Sequence, residues 1–235
     1  MRTRFSHPWV VLALALCVSP ATRQPASATT AKKQGIEPAL LAKASGGDAA
    51  AQYQLGNAYN YGVKVRRDYG QAAFWYRKGA EQSDPDSQFM LGGLYHFGRG
   101  VPQDDAQAFA WIMKAAQQGH TNAEFFISTC YSEGWGVAEN NAHALVWLRK
   151  AAEQGHAKSQ YMLGWAYKDG IGGPQNYEQA YFWLDLASSE ASTRKNQHEA
   201  RIRRDEAAAH LTPAELSSEQ QRVQVWLEQH PAKSE

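Results

Sequence analysis

Residues 84–119 read DPDSQFMLGGLYHFGRGVPQDDAQAFAWIMKAAQQG, and this stretch is written four times in the chain. A step of 36 residues in either direction returns the same chemistry. Leu55, Leu91, Ile127 and Leu163 share one register, as do Tyr59, Tyr95, Tyr131 and Tyr167. Gly62, Gly98, Gly134 and Gly170 form a third column, Ala72, Ala108, Ala144 and Ala180 a fourth, and Trp75, Trp111, Trp147 and Trp183 a fifth. Columns of one chemistry, with no insertion between copies, mark a stacked repeat architecture.

Each copy reads as two helices. In the second, Ser87, Leu91, Leu94, Tyr95 and Gly98 recur at helical spacing and form one apolar or small face. Asp84 is a good N-cap with Pro85 at the first helical position, and Gly98 and Gly100 end the helix in a tight turn. A second cap follows at Asp68, Asp104, Asn140 and Asn176. Gln71, Gln107 and Gln179 stand at capping-box spacing from three of these. Ala108, Trp111, Ile112, Ala115 and Ala116 then make the stripe of the second helix, which Gly119 and Gly155 close; Ser83 holds that slot in the first copy. One such helix pair cannot bury its own Trp and Tyr, so neighbouring copies complete the core, with Ala and Gly columns set against large ones.

The run A-x-Q-Y-x-L-G-x-x-Y-x-x-G, followed by Val, D-Y-x-x-A-x-x-W-Y and K-A-A-E-Q-G, resembles the Sel-1-like repeat, a relative of the tetratricopeptide repeat, over residues 47–191. The departures are Ser128 for Gly after the Leu slot, Gly173 for the Val of the other loops, and Leu186 for Lys. The resemblance implies an all-α, right-handed solenoid of helix-turn-helix repeats whose first helices line an inner wall used for protein–protein contact, with no shared catalytic residues. Some such proteins carry a cysteine pair in each repeat and are associated with β-lactamase activity. This chain lacks those pairs, so an envelope enzyme acting on β-lactam or cell-wall substrates stands as the alternative to a scaffold.

The ends break the period. Arg2 and Arg4 precede an apolar run over 9–18, which is short of the roughly 20 residues a membrane span needs and fits a secretory signal peptide over 1–28 with an Ala26-Ser27-Ala28 cleavage site, Ser19-Pro20-Ala21 being the alternative. Cys17 raises a lipid anchor as a competing reading. Export to the periplasm or beyond is the expectation. Cleavage would remove three arginines, changing 24 basic against 23 acidic residues to 21 against 23; that balance argues against nucleic acid as a partner. A linker over 29–35, an N-terminal capping helix over 36–46, a C-terminal pair of capping helices over 192–229 and a tail over 230–235 complete the plan. Arg201, Arg203 and Arg204 read as a solvated basic face.

No residue set reads as catalytic or metal-binding, and no cofactor is implied. His120 and His156 share the helix-start slot of Asp48 and Asp84, and Cys130 replaces a small or apolar residue on the packed face. The Trp column reads as core. A partner surface is sought where the copies differ. On the first helix, the face away from Leu and Tyr carries Tyr53, Asn57, Asn60 and Tyr61, then Phe89, Gly93, His96 and Phe97. The third copy places Phe125, Thr129, Ser132 and Glu133 there, and the fourth Tyr161, Trp165, Lys168 and Asp169. These slots predict a protein- or peptide-binding groove, with Tyr61, Phe97 and Trp165 as anchors. Arg77, on the outer face of a second helix, is expected to be uninvolved.

Overall fold

The structure, a computed structural model, describes residues 35–190 and 194–230. The expected signal peptide over 1–28 with Cys17, nearly all of the expected linker and the last five residues lie outside them. The described residues form eleven helices and no strand. α1 spans Pro38–Ser45, α2 Ala49–Tyr61, α3 Tyr69–Glu81, α4 Pro85–Phe97, α5 Asp105–Gln117 and α6 Thr121–Glu133. After a division between Ala138 and Glu139 come α7 (Asn141–Glu153), α8 (Ala157–Asp169), α9 (Tyr177–Glu190), α10 (Arg194–Ala208) and α11 (Pro213–Gln229).

In the first unit each helix packs on the next, from α1 to α6. Hydrogen bonds fix the direction. Gln52 at the start of α2 meets Gln82 just past the end of α3, while Tyr59 near the end of α2 accepts from the backbone N–H of Asp68 at the start of α3. The pair is therefore antiparallel. The large-against-small pairing is literal. A methyl group built on Gly56 would sit 2.5 Å from the Tyr76 ring, and one on Gly92 2.3 Å from Ile112. Both partners are fully buried. In the second unit Gly164 stands in the same relation to Leu184, at 2.6 Å. The deepest column of the second helices is thus Tyr76, Ile112, Leu148 and Leu184, each 1% exposed or less. The Trp column is shallower. Trp75 and Trp183 are buried, but Trp111 and Trp147 are half-buried, each with a lysine ammonium 3.9 Å from its ring centre.

A buried glutamine joins successive repeats. Gln52, Gln88 and Gln160 donate to the carbonyls of Ala44, Ala80 and Ala152, which end the preceding helix, at 3.0, 3.2 and 3.4 Å. Ala44 belongs to α1, so the capping helix offers the first repeat the same carbonyl that each repeat offers the next. The loops interlock as well. A Cβ on Gly100 would lie 2.2 Å from the Tyr69 backbone and one on Gly136 2.0 Å from the Asp105 carbonyl; in the second unit Gly172 lies as close to Asn141. All three have positive φ. Lys64 holds this slot in the first copy, also at positive φ, and reaches Glu37 before α1 across 2.9 Å.

The caps follow the sequence with one correction. Asp68, Asp104, Asn140 and Asn176 accept the expected backbone N–H bonds at 2.9–3.0 Å. Gln71, Gln107 and Gln179 do not close capping boxes, because the N-cap backbone N–H of residues 68, 104 and 176 already donates to the carbonyl of Tyr59, Tyr95 or Tyr167. Thr212 and Glu215 do form a complete box at α11.

Candidate protein-binding face

The face of the first helices that varies between copies differs sharply in exposure. In the first copy Tyr61 is 55% exposed, and Tyr53 and Asn57 are half-buried. Asn57 accepts from the Tyr76 hydroxyl at 2.6 Å, a bond inside the repeat. In the second copy Phe89 and Phe97 are half-buried, flanking Gly93, where an added Cβ would meet nothing within 4 Å.

His96 and Phe125 correct the expectation. His96 is 8% exposed; its Nδ1 lies 2.7 Å from Asp105 Oδ1, and its ring packs against Trp135, Phe97 and Phe126 at centroid distances of 4.6, 4.8 and 5.3 Å. An imidazole fixed on three rings and a carboxylate is a packing residue, not an anchor for a partner. Phe125, Thr129 and Ser132 are 4%, 1% and 5% exposed, and both hydroxyls bond back to carbonyls within α6. Variation between copies therefore did not mean exposure here. Glu133 is half-buried.

In the fourth copy the face is already occupied. Arg203 of α10 donates to the Tyr161 hydroxyl and stacks on Trp165, and Lys168 bonds Glu206 at 2.9 Å and lies 3.3 Å from Asp169. The Trp165 indole also donates to Asp169. Arg204 meets Asp185 and Asp205. Of the basic trio only Arg201 keeps the exposure the sequence suggested. α10 thus lies where the sequence placed a ligand. Arg77 is not idle either. It donates to the Tyr95 hydroxyl at 2.7 Å, a link between repeats that Arg149 repeats with Tyr167.

The remaining candidates are structural. His120 caps α6, accepting from the Ala123 N–H at 3.1 Å, and stacks on Phe89. His156 sits at the start of α8 with Nδ1 2.7 Å from the Ser159 hydroxyl, and burial pushes it down to about 4, with Lys158 adding to the effect. Burial, reinforced by Asp105, pushes the Cys130 thiol up, away from the reactive thiolate. Among the described residues no three His, Cys, Asp or Glu side chains are placed to share a metal ion, and no helix is long and apolar enough to cross a membrane.

The Sel1 repeat family model matches residues 49–84, 85–120, 121–156 and 157–192. No curated protein matches the chain. Among solved structures, a Sel1 repeat protein from Oxalobacter formigenes is 26% identical with a TM-score of 0.61, over 72% of this chain and 74% of that one. A Sel1 repeat protein from Klebsiella pneumoniae is 25% identical with a TM-score of 0.50, over 70% and 79%. A protective antigen of uropathogenic Escherichia coli strains with an SLR fold is 28% identical with a TM-score of 0.49, over 80% of this chain and 47% of that one.

Proposed function

The chain belongs to the Sel1 repeat family, and we propose that it is an exported, non-catalytic scaffold that binds a protein or peptide along the first-helix face of its first two repeats. One observation carries the reading. On that face Tyr61, Phe89 and Phe97 show aromatic surface, whereas in the matching slots of the later copies Phe125 is buried, Tyr161 is held by Arg203 of α10, and Glu133 and Asp169 are not aromatic. Partly exposed aromatics on a rigid scaffold are the usual anchors of a protein interface. The signal-like N-terminus supports export.

The test is affinity capture from envelope extract with the mature chain and with a Tyr61→Ala, Phe97→Ala double variant. A partner retained by the first and lost by the second, with both melting at the same temperature, is the expected result. Turnover of a chromogenic β-lactam by the purified chain would overturn the non-catalytic part. Mass spectrometry of the exported product should place its first residue at Thr29.

A further inference from the structure

We propose that the second repeat holds a subsite for a short acidic peptide segment, with an aliphatic side chain seated over Gly93 and a carboxylate two residues away on Arg99. The inference rests on the scaffold reading and names the chemistry of its partner.

The seat is a small cavity of about 40 Å³. Phe89, Met90, Phe97, Ile112 and Phe126 form its walls, with Gly93 at its base. Its volume is about three times the least that holds a water, which suits the branched end of a Val, Leu or Ile side chain. The walls are apolar, so a hydrocarbon gains there what a water would lose. Two features of the second copy make the hole. Gly93 takes a slot where the other copies have Asn57, Thr129 and Trp165, and it opens on space rather than on a neighbouring helix. Gly92 beside it is filled by Ile112, so the two adjacent glycines do different things.

The rim carries charge of one sign. Asn60 and Arg99 border the cavity. The Arg99 guanidinium lies 4.9 Å from the Phe97 ring centre and 5.7 Å from that of Tyr69, and Arg67 converges on the same Tyr69 ring at 5.9 Å. Arg66 stands beside it in the loop after α2. Among the described residues no carboxylate pairs with Arg66, Arg67 or Arg99, although Lys64 in the same loop is paired with Glu37. Stacking uses the flat faces of a guanidinium and leaves its edge N–H donors, the geometry that takes a carboxylate bidentately. Side chains two apart on an extended segment point the same way and lie about 7 Å apart, so the residue two along from a seated side chain faces the same rim. Further acidic residues would then run toward Arg66 and Arg67.

The test is selection of a displayed random 16-residue peptide library on the purified mature chain, followed by fluorescence polarisation of the winners against Gly93→Leu and Arg99→Glu. A Cβ at 93 meets nothing within 4 Å, so Gly93→Leu should melt no lower than the parent, while Arg99→Glu gives up the Phe97 and Tyr69 ring contacts and should melt slightly lower but remain cooperatively folded at the assay temperature. The expected winners carry an aliphatic residue with Asp or Glu two positions away, and bind each variant at least tenfold more weakly. Winners without that pattern, or winners indifferent to Gly93→Leu, would overturn the subsite and leave the scaffold standing. A library that yields no binder, together with no partner captured from envelope extract, would overturn both. Binding of a single-stranded oligonucleotide that is lost in Arg99→Glu and kept in Gly93→Leu would mark the arginines as a phosphate site, and the inference would be wrong.

Discussion

Arg203 on α10 donates from Nε to the Tyr161 hydroxyl across 2.8 Å, and its guanidinium carbon sits 4.4 Å from the centre of the Trp165 ring. α10 therefore covers the first-helix aromatics of the fourth repeat with the kind of contact a partner would make. Glu206, one turn on, adds the Lys168 pair, and its hydrogen bond holds the Lys168 ammonium above its usual range. Removing the arginine fork should loosen this cover. Arg203→Ala should lower stability by about 1–2 kcal/mol, the sum expected for one part-buried hydrogen bond and a cation–π contact. Arg203→Lys should recover less than half of it, because an ammonium cannot both stack and donate at that angle. Urea titration followed by circular dichroism reads both.

Gly92 and Gly93 are neighbours in α4 with opposite surroundings. A Cβ at Gly92 would lie 2.3 Å from Ile112 Cγ1 and 3.0 Å from the Ala108 carbonyl, while one at Gly93 would meet nothing within 4 Å. Gly92→Ala should destabilise by about 1–3 kcal/mol through overpacking. Gly93→Ala should stabilise by up to about 1 kcal/mol, since alanine lowers the entropy cost of helix formation. Thermal melts of the two single variants should shift in opposite directions; a shift of the same sign would mean that helix separation is not set at Gly92.

His156 gives the second unit an acid dependence. Burial, with Lys158 nearby, holds its folded pKa at about 4 against an ordinary 6.5. The unfolded chain therefore binds the proton more readily, and stability falls as pH drops from about 6.5 to about 4, then levels off. Above the upper limit the imidazole is neutral in both states and contributes no pH dependence. His156→Asn places a good capping residue at the N-cap position, where His156 makes no side-chain cap bond, and removes the titration. Between pH 7 and pH 4.5 the parent should lose about 1–2 kcal/mol more than this variant, measured by urea midpoints at the two pH values.

The repeat, its helices and its caps were legible because they rest on short-range rules written four times. Leu55, Leu91, Ile127 and Leu163 are all 0% exposed, as a column of one chemistry should be. The deepest second-helix column was harder to see, because Tyr76, Ile112, Leu148 and Leu184 differ in chemistry and share only their place opposite a small residue. The site was less legible still. Its reading took variation between copies as a sign of exposure, yet Thr129 and His96 vary and are buried. Variation at these slots also reflects local repacking, as in the cluster of His96, Asp105 and Trp135. Nor could the 36-residue period show where residues outside it would fold, so the cover of Trp165 by Arg203 had no signal in the repeats themselves.

The glutamine ladder leads to the last expectation. Gln52, Gln88 and Gln160 are buried and each gives an N–H to the last-turn carbonyl of the preceding helix, and Gln82 and Gln118 donate in turn to the Oε1 atoms of Gln52 and Gln88. The third copy has Glu124 in this slot, 4% exposed, and the matching carbonyl is that of Ala116. A glutamate side chain has no N–H to give that carbonyl. Glu124→Gln changes neither length nor branching and restores the donor. It should therefore raise stability at pH 7 by about 1–2 kcal/mol. Gln88→Glu, the reverse exchange one repeat earlier, should cost a similar amount. Urea midpoints of the two variants at pH 7 provide the measurement. A loss of stability in Glu124→Gln would show that the third junction depends on its negative charge, and that the ladder is not interchangeable between repeats.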